Sequence, residues 1–393
     1  MILGENFFEK KIFPEPLSKN FNLIRENYIM KEIQRKLTRT VTAGNVKIGG
    51  GHPISVQSMT NTPAHDIAAT VAQIERLANA GCDIVRMAVP DTEAAAVFTE
   101  AKKRGITCPL VADIHFDYRI ALESLKCGAD KIRINPGNIG DAWKVREVAT
   151  ACRDAGVPIR IGVNGGSLDK KLLAKYGRPC AEALAESAME EAGQLEACGF
   201  SDIVISIKSS DISEMTAAAE LVSAQSDYPL HLGVTEAGDD FAGLIKNSMG
   251  IGALLLRGIG DTIRVSLTAD PVTEVSAGKE ILKSLGLYEA GGIDIVSCPT
   301  CGRTKIDLID ISKKYRAATE NIRTNGKRLT VAIMGCAVNG PGEAREADFG
   351  IAGGDGYALL FRHGETVRKV DEDKVIETLL GETYEALKEN KEV

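Results

Sequence analysis

The 393-residue sequence has no apolar run long enough to cross a membrane and no surplus of positive charge. Its formal net charge of −7 disfavours a nucleic-acid binder, although a local basic pocket stays compatible with it. The first residues, MILGENFFEKKIF, lack the apolar core of a signal peptide and contain acids, which transit peptides avoid. We therefore expect a cytoplasmic protein that binds neither nucleic acid nor a membrane.

The nine cysteines are an odd number, which a complete disulfide framework would not use. In a reducing compartment they are expected to be thiols or metal ligands. Six of them lie in apolar or helical segments between residues 82 and 198, where a buried structural cysteine is common. The other three lie closer to the C-terminus, at positions 298, 301 and 336.

Short apolar runs alternate with amphipathic stretches from about residue 38 onward. Eight runs rich in Val, Ile or Leu on both faces indicate buried parallel strands at 54–59, 83–89, 109–114, 131–136, 159–164, 202–208, 230–235 and 252–258. A small hairpin is predicted before them, in TRTVTAG and VKIGG. Eight β–α units predict a TIM (β/α)8 barrel. A doubly wound open sheet is the alternative, and the lack of a Gly-rich dinucleotide fingerprint argues against it.

The pattern changes near residue 287, where a cysteine pair appears. A helical stretch at 308–322, three strand-like segments and a terminal amphipathic helix follow, and this order suggests a small α+β domain. We predict a loosely attached N-terminal extension at 1–35, a barrel domain at 36–287 and the small domain at 288–393.

The clustered cysteines are a C-P-T-C pair, Cys298 and Cys301, and Cys336 at the end of the strand TVAIMG. Thiols without a metal are one interpretation. A structural zinc site is another, but it would need a fourth ligand, and His363 is isolated in the sequence. An iron–sulfur cluster with three Cys ligands is favoured, because one iron then keeps an exchangeable ligand and can act on substrate. Glu343 lies in the loop after Cys336 and is the obvious oxygen donor.

Charged and polar side chains follow the predicted barrel strands at their carboxyl ends, where TIM barrels place catalysis. They are Arg86, Asp113, His115, Arg133, Asn135, Arg160, Asn164, Lys208, Glu236, Arg257, Arg264 and Ser266. One arginine could belong to a structural ion pair, but five or six cations on one rim indicate a strongly anionic substrate such as a diphosphate. Asp113 and Glu236 could orient those cations or handle protons, and His115 could donate a proton or be structural. His231 is interpreted as a structural residue.

The motifs SCPTCGRT, MGCAVNGPGEA, RMAVPD, VADIHFD, RINPGN, RIGVNGGSL, ISIKSSD and GVTEAG together resemble the bacterial 4-hydroxy-3-methylbut-2-enyl diphosphate synthase family, from about residue 36 to the end. The resemblance implies a TIM barrel followed by an iron–sulfur domain of sulfite/nitrite reductase type, in the two-domain form. It implies a [4Fe–4S] cluster held by Cys298, Cys301, Cys336 and Glu343. It also implies electrons from reduced flavodoxin or ferredoxin, and a homodimer in which the cluster domain of one chain covers the barrel mouth of the other.

The substrate implied by this resemblance is 2-C-methylerythritol 2,4-cyclodiphosphate, which is opened and dehydroxylated by two electrons. Residues implied to hold it are Arg86, Arg133, Asn135, Arg160, Asn164, Lys208, Arg264 and Ser266, with Asp113 and His115 beside them. Glu236 is expected near the reacting hydroxyl, and Arg257 is a candidate structural residue. Two other classes of function are compatible with the residues alone: a barrel transferase with a structural zinc module, and a cluster-bearing sensor without turnover.

Overall fold

The structure is a computed structural model that describes residues 33–288, 291–320, 322, 324–337 and 344–388. The chain divides into two compact units, one ending at Leu287 and the other beginning at Tyr288. Most of the predicted N-terminal extension and the predicted ligand Glu343 lie outside the described residues. No helix in the described part of the chain is long and apolar enough to cross a membrane.

Eight parallel strands form a barrel in the first unit. They are β3 (Ser55–Met59), β4 (Ile84–Ala88), β5 (Leu110–Asp113), β6 (Lys131–Ile134), β7 (Ile159–Asn164), β8 (Ile203–Lys208), β9 (His231–Leu232) and β10 (Thr262–Ile263). They pair in the order β8-β7-β6-β5-β4-β3-β10-β9, and a parallel bridge between Ile205 and Leu230 closes the ring. The predicted TIM barrel is therefore confirmed.

Helices connect the strands and cover the barrel. They are α1 (Ile67–Asn79), α2 (Ala96–Lys103), α3 (Tyr118–Lys126), α4 (Pro136–Ile139), α5 (Ala142–Ala155), α6 (Lys170–Tyr176), α7 (Ala181–Glu196), α8 (Ile212–Gln225), α9 (Asp240–Leu256) and α10 (Pro271–Ser284), with a 3₁₀ turn at Gly165–Ser167. Aspartates begin several of them; for example, the carboxylate of Asp66 accepts the N–H of Ala69 at 3.0 Å. Gly156 ends α5 with φ of +65°, which glycine adopts without strain.

The eighth predicted strand, at 252–258, is wrong. This apolar segment is the end of α9, which begins at the N-cap Asp239 and runs for 17 residues. Its buried residues include Gly243, Asn247 and Leu254, at the spacing of one helical face. The eighth strand is instead the short β10, whose Thr262 and Ile263 are both buried. Over so few residues, the apolar end of a buried helix has the same sequence pattern as a buried strand, so the run at 252–258 could not be assigned from sequence alone.

The predicted hairpin is confirmed and lies at the amino ends of the barrel strands. It consists of β1 (Val41–Ala43) and β2 (Val46–Ile48), which pair antiparallel. Its buried side chains Val41, Ala43 and Ile48 form one apolar cluster with Ile84, Val111 and Val204 of the barrel. The hairpin therefore closes the end of the barrel opposite the carboxyl ends of the strands.

In the second unit the described residues form a five-stranded mixed sheet and the helices packed against it. Its elements are β11 (Gly292–Ser297), α11 (Leu308–Thr319), β12 (Arg328–Met334), β13 (Phe349–Gly353), β14 (Tyr357–Arg362), β15 (Glu365–Asp371), a 3₁₀ turn at Glu372–Lys374, and α12 (Val375–Lys388). β11, β12 and β13 are parallel, whereas β14 and β15 add antiparallel strands. Tyr315, Ile351 and Leu379 belong to the core of this unit. The predicted α+β character is confirmed.

Candidate functional site

Cationic side chains from several strands fill the barrel interior. Alternate residues of a strand share one face, so Lys131 and Arg133 of β6 point the same way. Arg133 pairs in register with Arg160 of β7, and Asp113 of β5 pairs with Arg133. Lys131 and Arg160 are fully buried, and Arg86 and Arg133 are nearly so. The sequence-predicted residues of these strands are therefore brought together.

Asp113 is the carboxylate that orients two of the arginines. Its Oδ1 accepts from Arg133 Nη1 at 3.2 Å, and its Oδ2 lies 3.7 Å from Arg86 Nε. His115 Nε2 is 3.6 Å from the same Oδ2. Burial opposes the charge, but the neighbouring Arg86, His115 and Arg133 hold the pKa of Asp113 well below its usual range.

Gly162 makes room for the Arg133 guanidinium. The Gly162 carbonyl accepts from Arg133 Nη2 at 3.2 Å, and a Cβ at this position would lie 2.5 Å from Arg133 Nε. Any side chain here would displace the arginine. This glycine in IRIGVN was not predicted as a site residue, although it lies between Arg160 and Asn164 on the same inward face.

Arg264 is held from outside the barrel by Glu274 of α10. The Glu274 carboxylate accepts from Arg264 Nη2 at 3.1 Å and from the Ser58 hydroxyl at 2.8 Å. Ser266, two residues further on, has its backbone fixed by the buried amide of Asn247. Sequence reasoning missed Glu274, because it lies on a helix and only the tertiary structure places it behind the strand.

Arg160 has hydrogen-bonding capacity that the described residues do not use. Its Nη1 donates to Ser206 Oγ at 2.9 Å, whereas its buried Nε and Nη2 have no partner in this part of the chain. The Oδ1 atom of Asn135 and the Nε of Arg133 are likewise buried and unpartnered among the described residues. Since buried polar groups are nearly always bonded, these atoms are suited to a polar ligand.

Positive charge exceeds negative charge in this interior. Burial and then the neighbouring arginines, beginning with Arg86, lower the pKa of Arg160 and of Lys208 well below their ordinary values. Lys208 ends β8 beside Asn164 of β7 in register. Repulsion among buried cations is relieved by an anion, so the arrangement favours a multiply charged anionic ligand.

Two other predicted residues differ in their surroundings. Glu236 follows β9 in an exposed loop with φ of +53°, a left-handed conformation that L residues other than Gly, Asn and Asp seldom adopt. Arg257 is not at a strand end: it ends α9, donates to the Ala253 carbonyl at 2.7 Å and pairs with Glu220 at 2.8 Å. The structural interpretation of Arg257 is therefore supported, and its placement on the barrel rim is wrong.

Replacing Asp113 by asparagine is expected to destabilise the protein by about 3–5 kcal/mol, because two buried arginines lose their counter-charge. Since the folded-state pKa is depressed, this stabilisation is complete above the unfolded value of about 3.9 and declines as the pH falls below it. Urea unfolding of both proteins at neutral and acidic pH measures the difference. An equal gap between parent and variant at pH 3 and pH 7 would contradict this assignment.

The three cysteines of the second unit are connected through neighbouring strand ends. Cys298 follows β11 directly, and Gly335 and Cys336 follow the parallel β12. The Gly335 N–H donates to Cys298 Sγ at 3.2 Å. This contact ties the residue after β11 to the residue after β12. Cys336 is therefore next to a residue that contacts Cys298.

The turn that carries Cys301 is tied to the same segment. Thr304 Oγ1 accepts the Cys301 N–H at 3.1 Å, and the Lys305 N–H donates to the Gly335 carbonyl at 2.9 Å. Hydrogen bonds from Arg303 lower the pKa of the exposed Cys301 thiol. Soft thiolate donors at one sheet edge fit an iron–sulfur group. Among the described residues no three His, Cys, Asp or Glu side chains are gathered as a metal-binding group, and the predicted fourth ligand, Glu343, lies outside them.

Comparison with known proteins gives matches over both units. The profile described as the GcpE TIM-barrel domain matches residues 38–279, and that of the GcpE protein C-terminal domain matches residues 294–385. The 4-hydroxy-3-methylbut-2-en-1-yl diphosphate synthase (flavodoxin) of Caldanaerobacter subterraneus is 55% identical over 355 residues, covering 90% of this chain and 99% of the relative. The enzyme of the same name from Clostridium perfringens is 55% identical over 348 residues, covering 88% and 98%.

Solved structures of other barrels match more weakly. A dihydropteroate synthase from Stenotrophomonas maltophilia superposes with a TM-score of 0.48 and 12% identity, covering 63% of this chain and 97% of that one. Similarity at this level assigns no function.

Proposed function

Because this chain belongs to the GcpE family, whose two domain profiles it matches in order, we propose that its barrel holds a cyclic diphosphate and its second unit holds a [4Fe–4S] cluster. The chain is an oxidoreductase of the non-mevalonate isoprenoid pathway. It converts 2-C-methylerythritol 2,4-cyclodiphosphate to 4-hydroxy-3-methylbut-2-en-1-yl diphosphate. Flavodoxin dependence appears in the names of the relatives. Reduced flavodoxin or ferredoxin is proposed as the donor, and the cytoplasm as the location.

The observation that carries the substrate site is an excess of cations in the barrel interior, three of which have buried N–H groups without a partner among the described residues. The cations are Arg86, Lys131, Arg133, Arg160, Lys208 and Arg264; their carboxylate partners are Asp113 inside the barrel and Glu274 behind the strands. We propose that Arg86, Arg133, Arg160, Lys208 and Arg264 bind the two phosphates, assisted by Asn135, Asn164 and Ser266, with Asp113 and His115 orienting the arginines. Guanidinium groups suit this task because they bind phosphate oxygens in pairs.

The cluster is proposed to be held by Cys298, Cys301, Cys336 and Glu343. This proposal is supported by a hydrogen bond between the ends of β11 and β12, in which Cys298 Sγ accepts the N–H of Gly335. When bound, the cluster supplies two electrons to the substrate in single steps. Residues 36–287 are accordingly proposed as the substrate domain, residues 288–393 as the cluster domain, and residues 1–35 as an extension.

The side chains of the barrel bind, orient and protect the reacting molecule. The arginines neutralise the diphosphate and fix its carbon skeleton relative to the strand ends. Asp113 and Glu274 keep two of those arginines in place before the substrate arrives. Loss of the substrate hydroxyl as water consumes a proton, and we propose that Glu236, in the loop that follows β9, assists its delivery.

Replacing Glu236 by glutamine is expected to lower kcat by about 100-fold or more, the usual contribution of a positioned acid. Glu236→Gly should lower activity equally, yet its unfolding free energy should not fall. Glycine adopts the left-handed conformation of residue 236 without the steric cost of about 1–2 kcal/mol that glutamate has there. This gain offsets the greater conformational freedom of glycine in the unfolded chain. Anaerobic turnover and thermal unfolding of both variants test this. Full turnover by Glu236→Gln with its cluster intact would remove the proposed role.

A homodimer is proposed, and an apolar stripe on α9 supports it. Phe241, Ile245, Met249 and Leu256 lie within one arc of the helix, and Phe241 and Met249 are 78% and 58% exposed. A contiguous apolar face of this kind usually marks a protein interface. We propose that a second copy of the chain covers it.

Ile245→Asp is expected to weaken this dimer at least about 30-fold, because a buried unpaired carboxylate costs more than about 2 kcal/mol. Light scattering across a concentration series measures the change. Lys246→Asp is the matched control, since Lys246 is exposed on the same helix but lies off the stripe. Equal dissociation of both variants, or of neither, would contradict this interface.

Anaerobic turnover with product analysis tests the proposed function as a whole. Protein purified without oxygen should contain iron and acid-labile sulfide, and should convert the cyclic diphosphate only with a reduced electron donor. A colourless zinc-containing protein, or no product with reduced flavodoxin or ferredoxin, would reject the proposal.

A further inference from the structure

Beneath the arginines, the barrel interior contains a lysine that has no ion-pair partner among the described residues. Lys131 begins β6, two residues before Arg133, and its side chain is fully buried. Its Nζ has no hydrogen-bond partner within the described ranges. Because β-strand residues rise about 3.3 Å each, the Cα atom of Lys131 lies roughly 7 Å from that of Arg133 along β6, toward the amino end of the strand. It is therefore outside the set of residues proposed to touch the diphosphate.

Other polar groups at this depth are also unsatisfied. Gln57 is fully buried and neither amide atom has a partner, and the Nε2 atom of His231 has none either, among the residues that the structure describes. His231 Nδ1 is 3.4 Å from Thr262 Oγ1, and Thr262 pairs in register with both His231 and Ser55. Buried polar groups without partners are suited to binding ordered water.

The charged groups around Lys131 are mostly positive. Arg160 on β7 and Arg86 on β4 act directly on Lys131, and Lys131 acts on His231 of β9. The same interior holds Arg133 on its own strand, Lys208 on β8, Arg264 after β10 and the carboxylate of Asp113 on β5. Asp113 is already bonded to Arg133 and near Arg86. Lys131 thus has the same sign of charge as most of these neighbours, and no carboxylate in the described part of the chain pairs with it.

We propose that Lys131 is a proton-accepting positioning residue, neutral in the anion-free enzyme and protonated when a diphosphate occupies the arginines above it. The inference rests on the proposed function, because it requires a diphosphate in the barrel. Burial first, and then repulsion from Arg160 and Arg86, lower the pKa of Lys131 well below its ordinary value. A dianion above the arginines cancels that repulsion, so the amine takes up a proton from solvent.

This coupling gives substrate affinity a defined pH dependence. The bound state holds one more proton than the free state between the two pKa values of Lys131, so affinity falls about tenfold per pH unit as the pH rises through that interval. Below the free-state pKa both forms are protonated and the slope vanishes. The proton forms a new N–H bond on Lys131, and the buffer acid that donates it becomes its conjugate base.

Calorimetry of the oxidised holoenzyme with 2-C-methylerythritol 2,4-cyclodiphosphate tests the proposal without turnover, because no reductant is present. Each phosphate of this ring has a single strongly acidic hydroxyl, so the ligand does not titrate near neutral pH. Titrations in buffers of different ionisation enthalpy give the number of protons bound. We expect proton uptake in the parent, about one proton less in Lys131→Met, and a correspondingly smaller pH slope.

Three variants make the result decisive. Lys103→Met, an exposed lysine on α2, should match the parent. Lys131→Met should also unfold at a higher temperature, because it removes a buried unpaired amine. His231→Gln tests the other buried base; loss of uptake there but not in Lys131→Met would overturn the assignment. Binding with no proton uptake would overturn the inference and leave the diphosphate site intact, whereas no binding by the parent would reject both.

Discussion

Replacing Cys298 by alanine is expected to abolish turnover, with a loss of more than about 100-fold, because even an outer partner of a metal ligand commonly contributes 10–100-fold. The variant should lose colour, iron and acid-labile sulfide together. Its fold should persist, since Cys298 is only half-buried at the edge of the core of the second unit. Iron and sulfide content, visible absorbance and circular dichroism measure these three properties on one preparation.

Cys127→Ala provides the matched control for that experiment. Cys127 is also half-buried, but it ends α3 in the barrel unit, with Sγ 3.9 Å from Glu123 Oε1. It should keep the iron, the colour and the activity of the parent. A Cys298→Ala protein with its full complement of iron and sulfide would show that the cluster is held elsewhere.

Arg160→Met is expected to lower kcat/KM by between about 30-fold and several thousand-fold, corresponding to about 2–5 kcal/mol for one partner of a buried charge-assisted contact. Its unused Nε and Nη2 groups are the reason for this expectation. The loss of a residue with only a structural role would lower the unfolding midpoint. Arg160→Met should instead unfold at the same temperature as the parent or a higher one, because a buried cation is removed. Steady-state kinetics and thermal unfolding measure the two effects separately.

Arg257→Met is the corresponding control, because Arg257 is an exposed cation paired with Glu220 at the end of α9. Surface ion pairs contribute about 0–1 kcal/mol, so both kinetics and stability should stay near the parent values. If Arg257→Met and Arg160→Met reduced kcat/KM alike, the assignment of the diphosphate to the barrel interior would fail.

The apolar runs predicted six of the eight barrel strands, β3 to β8, to within two residues at each end. Those strands are buried on both faces, and their helices repeat at regular spacing. The seventh predicted run, 230–235, contains β9, of which only His231 and Leu232 are paired as strand. The eighth failed because the apolar end of α9 is more hydrophobic than the true strand, Thr262–Ile263. Where a strand is two residues long, its neighbours in space define it and its own sequence carries little signal.

Site residues could be predicted where their own strand sequence marks them, and could not where their role depends on contacts with distant parts of the chain. Arg133 and Arg160 stand out because a buried strand rarely carries charge. Lys131 could have been found by the same rule, since it alternates with Arg133 on β6. Glu274 could not, because its role depends on α10 packing behind Ser58 and Arg264. Gly162 is similar: its function is the space it leaves for another residue's side chain.

The apolar cluster formed by Val41, Ala43 and Ile48 closes the amino end of the barrel, so in the described part of the chain its cationic interior is reached from the carboxyl ends of the strands. Substrate must therefore enter, and product must leave, at the carboxyl ends of the strands. The diphosphate product retains the charged group by which the reactant is gripped. It must therefore vacate the arginines before the next cycle starts, and it should act as a competitive inhibitor of its own formation.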